Sequence, residues 1–219
     1  MKRALICFTR PPVPGRTKTR LLPLLGGEAC AALHTAFLRD IANLCGRVDA
    51  DLFVAAAPEG DWGVLREIFP AALDIFSQTG EGLGERMHEA LARVLSLGYD
   101  ACVLTGSDLP ELTEAHLAAA FAALEEADAT LGPTADGGYY LVGLKKPCRS
   151  LFAGQSYGHA NVYRNTLAAI RAAGLRFCPA PLCRDVDVPE DLFRLRGTLR
   201  PDSHTARLLN TLLWEGSPG

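Results

Sequence analysis

Residues 101–110 read Ala101-Cys102-Val103-Leu104-Thr105-Gly106-Ser107-Asp108-Leu109-Pro110. The first four are a short, continuously apolar run, the pattern of a strand buried on both faces and therefore of a parallel sheet. In an open α/β sheet ligands bind beyond the carboxyl ends of the strands. The acid that follows this run directly, Asp108, is thus aimed at such an edge. A carboxylate there is a good ligand for Mg2+ or Mn2+, hard ions that join protein to phosphate oxygens. The competing role is a cap for the next helix, but Thr113-Glu114 is the better N-terminal signal.

Outward from this stretch, strand-like and helix-like segments alternate. Residues 4–8 and 50–57 are further apolar runs, and residues 73–76, 129–131 and 139–144 are also strand-like. Helical periodicity covers residues 28–45, 62–69, 84–97, 114–127, 161–173 and 203–214, while 216–219 are expected to fray. This order predicts an α/β fold in which a mostly parallel, twisted sheet is covered by helices on both sides.

The bulk properties restrict function. The chain has 219 residues, 48% of them hydrophobic, which is enough for a sizeable core without staples. A net charge of −3 argues against a broad nucleic-acid footprint. The seven cysteines form no Cys-x-x-Cys pair and read as reduced and structural, so a zinc site is not expected. The apolar run after Met1-Lys2-Arg3 is shorter than a signal core, and no run reaches the length of a membrane span. A cytoplasmic protein with no membrane span is expected; the sequence leaves its oligomeric state open.

Four other segments carry chemistry. After the first strand, a loop bent by Pro14 and Gly15 gathers Arg10, Arg16, Lys18 and Arg20. Such a loop suits phosphates, although it is not a Walker A loop; its plain alternative is a solvated turn. Gln78-Thr79-Gly80-Glu81-Gly82-Leu83-Gly84-Glu85-Arg86 opens a helix, where backbone can approach an anion. It fails the dinucleotide fingerprint because Gly84 comes one position early. Arg86 in a helical first turn opposes the dipole and therefore suggests a ligand or partner. Asp136-Gly137-Gly138-Tyr139-Tyr140 reads on its own as a hairpin turn. In Arg184-Asp185-Val186-Asp187-Val188-Pro189-Glu190-Asp191, Asp185 and Asp187 point the same way if extended. Either could complete a site with Asp108, with Asp187 favoured and Glu190 and Asp191 serving as first-turn acids. His34, His88 and His116 lie on helices and read as surface or boundary residues. The sequence is read as carrying no nucleophile elbow with a Ser-His-Asp triad.

Taken together and in this order, these motifs resemble the GT-A fold of nucleotide-diphospho-sugar transferases. More narrowly, the chain resembles a bacterial glycosyltransferase-like family related to the 2-phospholactate and molybdenum-cofactor guanylyltransferases. The residues that carry the match are Lys18-Thr19-Arg20-Leu21, Gly80 to Arg86, Gly106 to Pro110, Asp136 to Tyr139 and Asp185 to Pro189. The resemblance implies a three-layer α/β/α sandwich with a mostly parallel mixed sheet. It implies a nucleotide-binding half of about residues 1–110, an acceptor and metal half of about 111–200, and a C-terminal helix. Nucleotide contacts are expected from Arg10, Gly15, Arg16, Lys18, Arg20, Gln78, Gly80, Gly82 and Arg86. Asp108 takes the place of a metal-binding acid, with Asp187 as second ligand of Mg2+ or Mn2+. Catalytic work is expected from Asp108, Lys18 and Asp136, the last orienting or deprotonating the hydroxyl of a small-molecule acceptor. Two departures stand out. Gly106 replaces the first acid of the Asp-x-Asp pattern, and Tyr157-Gly158-His159 stands where a Trp-Ser-Thr-like sequence is expected. Glycosyl transfer from a nucleotide-sugar, nucleotidyl transfer from a triphosphate, and nucleotide binding without turnover all remain compatible with these residues.

Overall fold

The computed structural model describes residues 1–214; the expected fraying of 216–219 lies outside them. The strands are β1 (Arg3–Thr9), β2 (Asp51–Ala56), β3 (Asp74–Ser77), β4 (Ala101–Thr105), β5 (Ala129–Pro133) and β6 (Tyr139–Leu144). The α-helices are α1 (Leu22–Cys45), α2 (Gly63–Ile68), α3 (Leu83–Leu95), α4 (Glu114–Glu126), α5 (Val162–Ala172), α6 (Pro189–Arg194) and α7 (His204–Leu209). A π-helical turn, Asn210–Trp214, extends α7 over the rest of the expected 203–214 helix.

The six strands form one sheet in the order β3-β2-β1-β4-β6-β5. β1 pairs in parallel with both β2 and β4, and β2 with β3, while β6 is antiparallel to β4 and β5. The antiparallel pairing of β5 with β6 follows from turn chemistry. The Asp136-Gly137-Gly138 turn returns the chain at once, too soon for a crossover helix. Gly137 sits at φ 90, and a Cβ there would fall 2.1 Å from Ala160 O, so only glycine fits.

Alternation along the strands builds the two outer layers. Leu5, Cys7, Leu52, Val54 and Val103 pack against Leu38, Ile41, Leu65, Leu117 and Phe121 of α1, α2 and α4. Ala4, Ile6, Phe53, Cys102 and Leu104 pack against Met87, Leu91 and Val94 of α3 and Ile170 of α5. The result is the three-layer α/β/α sandwich with a mixed sheet. A third cluster joins the outer side of α1, through Leu33 and Phe37, to Val186, Leu192 and Leu209.

α1 starts earlier than its apolar period predicts, because residues 22–25 add a turn before a kink at Gly26 (φ 76, ψ 169). With the preceding turn it forms the stretch Thr19–Cys45, which is long enough to cross a membrane and holds an 18-residue window of mean hydropathy 1.4, apolar enough for a span. That corrects the expectation of no such segment. Here Leu33, Phe37, Leu38 and Ile41 are buried within the fold instead.

Candidate active site

The carboxyl ends of β1–β4 and the loops after them enclose a cleft of about 1250 Å3. Arg10, Arg16, Lys18, Arg20, Gln78, Arg86, Asp108, Asp136 and Asp187, all expected at the site, line it. Gly15, Gly80 and Gly82, also expected to contact the nucleotide, lie in the loops after β1 and β3 but are not among the residues that line the cleft.

Its centre is Asp108. β4 ends at Thr105, Gly106 N bonds to Tyr140 O of the neighbouring strand at 3.0 Å, and the chain then delivers Asp108 to the cleft floor. Asp108 does not cap α4; Thr113 does, with His116 Nδ1 returning to the Thr113 backbone at 3.2 Å. Lys18 Nζ lies 2.9 Å from Asp108 Oδ2 and donates to Val186 O at 2.5 Å. The Lys18 side chain is only 4% exposed, whereas that of Asp108 is 45% exposed through the open cleft. Burial alone raises the Asp108 carboxyl, but the Lys18 charge and the His34 imidazole more than reverse this, leaving it well below the usual carboxylate range. Lys18 is also the one non-glycine residue at positive φ (55) among those described. Backbone strain of this kind persists where surrounding contacts over-determine it, and here the ion pair and the carbonyl do so.

The segment 184–188 runs beside Asp108: Val186 N donates to Asp108 O at 3.0 Å. Asp187 forms an ion pair with Arg20, and its backbone N–H, with that of Val188, is taken by Asp191 Oδ2 at the start of α6. Asp185 is pushed above the ordinary carboxylate range by burial, then by the charges of Asp136 and Asp187. Asp136 Oδ1 accepts from Thr134 Oγ1 at 2.5 Å and from Gly138 N at 3.0 Å, so it both closes the hairpin and lines the cleft. Arg86 has a partner within the protein, Gly80 O at 3.0 Å, which accounts for its position in the first turn of α3.

The donor set fits a hard divalent cation. Asp108 Oδ1 is shielded from solvent and has no well-formed hydrogen bond, and the charges of Asp136 and Asp187 converge on Asp185, in the segment whose Val186 N–H bonds Asp108 O. Among the described residues no group of three or more His, Cys, Asp or Glu side chains is close enough to bind a metal by itself. Two carboxylates plus substrate phosphates and waters is the usual pattern for Mg2+.

Two features correct the sequence reading. His34, expected at the surface or a boundary, is 2% exposed. Its Nε2 lies 3.0 Å from Arg10 O, and its Nδ1 faces Asp108 Oδ1 at 3.4 Å. The sequence signal was available: Cys30, His34 and Leu38 share one helical stripe, and its two apolar members are buried in the core. Second, residues 154–158 do spell Gly-x-Ser-x-Gly. They form a loop rather than a strand-to-helix elbow, and Ser156 Oγ is 3.1 Å from His159 Nε2. His159 Nδ1 accepts from Asn161 N at 3.1 Å. Its proton therefore sits on Nε2, and the ring is no base for Ser156.

Fold and cleft together define the class: this is a protein of the GT-A, nucleotide-diphospho-sugar transferase superfamily. It belongs to the family DUF2064, described as uncharacterized proteins conserved in bacteria, whose pattern matches residues 40–159. A protein of Desulfovibrio desulfuricans G20, provisionally described as a nucleotide-diphospho-sugar transferase, is 32% identical, with 98% of each chain covered and a TM-score of 0.89. 4-Diphosphocytidyl-2C-methyl-D-erythritol synthase is similar in fold alone, at 13% identity and TM-score 0.58, covering 90% of this chain and 97% of that one. Glucosyl-3-phosphoglycerate synthase from Mycobacterium tuberculosis, in complex with Mn2+ and UDP, shares the fold at 13% identity and TM-score 0.51, covering 99% and 81%. No curated protein matches the chain.

Proposed function

We propose that the protein is a cytoplasmic, metal-dependent transferase that uses a nucleotide-diphospho-sugar as donor and passes the sugar to a small hydroxyl-bearing acceptor. The observation that carries this reading is the meeting of Asp108, Lys18 and the 184–188 segment at one strand end, inside a cleft lined by further cations.

Residues 1–110 hold the nucleotide and 111–200 bring the acceptor. Arg10, Arg16 and Arg20 neutralise the diphosphate as negative charge grows on the leaving group. Lys18 keeps Asp108 ionised and oriented until the donor arrives. Asp136, held by Thr134 and Gly138, presents its other oxygen to the acceptor hydroxyl as orienter or base. Asp108 and Asp187 would hold Mg2+ or Mn2+, which supplies Lewis-acid stabilisation of phosphate charge when bound.

A second reading has an observation of its own. Five cations, Arg10, Arg16, Lys18, Arg20 and Arg86, line one cleft, a density that suits a triphosphate. The chemistry would then be nucleotidyl transfer with release of pyrophosphate. The test is a thermal-shift screen of nucleoside triphosphates and nucleotide-sugars with and without Mn2+, followed by product analysis. Release of a nucleoside diphosphate supports the first reading and pyrophosphate the second. No stabilisation by any member of the panel sinks both.

A further inference from the structure

We propose that the acceptor is an amino alcohol, a hydroxyl compound carrying an ammonium group, bound between Asp185 and the rings of Tyr139 and Tyr157. The inference rests on the transferase reading of the cleft and names the class of its acceptor.

The cleft is divided by charge. Its lysine and arginines, Arg10, Arg16, Lys18, Arg20 and Arg86, all belong to the nucleotide half. Residues 111–200, the acceptor half, hold ten Lys and Arg residues, and none of them lines the cleft. Three are tied elsewhere: Lys145 to Glu125 O, Arg149 to Glu85 and Arg176 to Asp128. His159, which does line it, accepts at Nδ1 from Asn161 N and so carries no second proton. The charged groups that this half presents are Asp136, Asp185 and Asp187.

These acids are not equally balanced. Lys18 pairs with Asp108, and Arg20 with Asp187. Among the described residues no Lys, Arg or His lies within ion-pair distance of Asp136 or Asp185. Asp185 is half-buried, and the charge of Asp136 acts on it. A carboxylate in that position is costly until a cation reaches it.

The surroundings suit an ammonium. Cys183 N donates to Pro133 O at 3.2 Å, which lays the approach to Asp185 along the end of β5. Tyr163 N donates to Gly137 O at 3.0 Å, which seats the loop before α5 against the Asp136 turn. Tyr139 and Tyr157 line the cleft from this turn and this loop. Their hydroxyls are sealed from solvent and make no well-formed hydrogen bond. What the two side chains offer a ligand is therefore ring surface, not a polar tip. An aromatic face beside an unpaired carboxylate is the combination that binds an ammonium. A phosphorylated or carboxylated acceptor would meet Asp136 and Asp185 with no cation to answer it, and a plain polyol would leave Asp185 unbalanced. With the ammonium at Asp185, Asp136 is left to the hydroxyl.

The experiment is titration calorimetry of the full chain at neutral pH with Mg2+. UDP, CDP, GDP and ADP are titrated first, and the tightest of them is then held at saturation to fill the cationic half. The probes are matched about one substituent. Serinol, glycerol and β-glycerophosphate carry an ammonium, a hydroxyl and a phosphate on the same central carbon, and glucosamine differs from N-acetylglucosamine in the charge on nitrogen. Serinol and glucosamine should bind about tenfold tighter than their neutral counterparts, the combined effect of a partly exposed ion pair and a cation–π contact. No binding of β-glycerophosphate is expected. Asp185→Asn, which keeps the shape and removes the charge, should bring each ammonium probe to the affinity of its neutral counterpart while the diphosphate still binds. Equal affinities in both sets, tighter binding of β-glycerophosphate, no binding of either ammonium probe, or a preference that survives Asp185→Asn overturns the proposal and leaves the nucleotide reading intact. If no diphosphate binds the wild type, the functional reading falls and this inference with it. Should circular dichroism show that Asp185→Asn does not fold, the wild-type comparisons decide alone.

Discussion

Lys18 and Asp108 form an ion pair at 2.9 Å in which the ammonium is almost wholly buried and the carboxylate faces the cleft. Neither is secure without the other. Lys18 also bonds the carbonyl of Val186, so the pair joins the loop after β1, the end of β4 and the approach to α6.

Asp108→Ala removes the anion and leaves a buried ammonium unpaired. The expected loss is roughly 1–3 kcal/mol, below the range for a fully buried pair because Asp108 is partly solvated. Urea unfolding checks this, and metal-dependent nucleotide binding should vanish in the same variant. Unchanged binding with unchanged metal dependence would leave a binding module without turnover as the better description.

Acid should weaken the fold through the same group. The folded-state pKa of Asp108 is depressed, so its contribution is complete above the unfolded carboxylate range and is lost as pH falls below about 4. In Asp108→Asn the urea midpoint should therefore fall less steeply with acid than in wild type. An identical slope in the two proteins would remove the pair from the account of acid stability.

Asp185 has the opposite sign. Its folded-state pKa is raised by burial and by Asp136 and Asp187, so its cost appears as pH rises above the ordinary carboxylate range. Asp185→Asn should be neutral or slightly destabilising in acid and more stable than wild type at neutral pH, as read by melting temperature across a pH series.

Gly106 stands where a second acid would belong. A Cβ there would meet only Tyr140 O, at 3.9 Å, so a side chain fits. Gly106→Asp should fold normally and bind Mn2+ more tightly than wild type, measured by calorimetry or by Mn2+ spin resonance. Weaker metal binding would count against Asp108 as the anchor.

Gly137→Ala should cost roughly 2–3 kcal/mol, because its φ is positive and the new methyl runs into Ala160 O. Chemical denaturation measures it. Loss of ligand binding should track the loss of folded protein, since the turn also holds Asp136.

Much of the fold could be read locally. Residues 101–104 announce a strand buried on both faces, and Thr113-Glu114 announces the helix cap, because period and capping depend on near neighbours. The pairing of β6 was less legible, since its turn fixed the hairpin but not its insertion beside β4. The charged residues expected at the site and Gln78 line one cleft, while Gly15, Gly80 and Gly82 do not, and the partners of the charged groups were hidden. Arg86 turned out to satisfy Gly80 O, and His34, whose apolar stripe signals burial but not a partner, meets Asp108.

By itself the sequence determined the alternation of strands and helices, the edge of the sheet that carries the candidate cleft, and the residue types gathered there. Only the tertiary structure decided that Lys18 is buried against Asp108, that Asp187 is paired with Arg20, and that both amide protons of Gln78 are committed to backbone. The physical reason is range. Periodicity and turn chemistry act over a few residues, whereas a charge or an amide takes its role from groups that only chain folding brings within hydrogen-bonding distance.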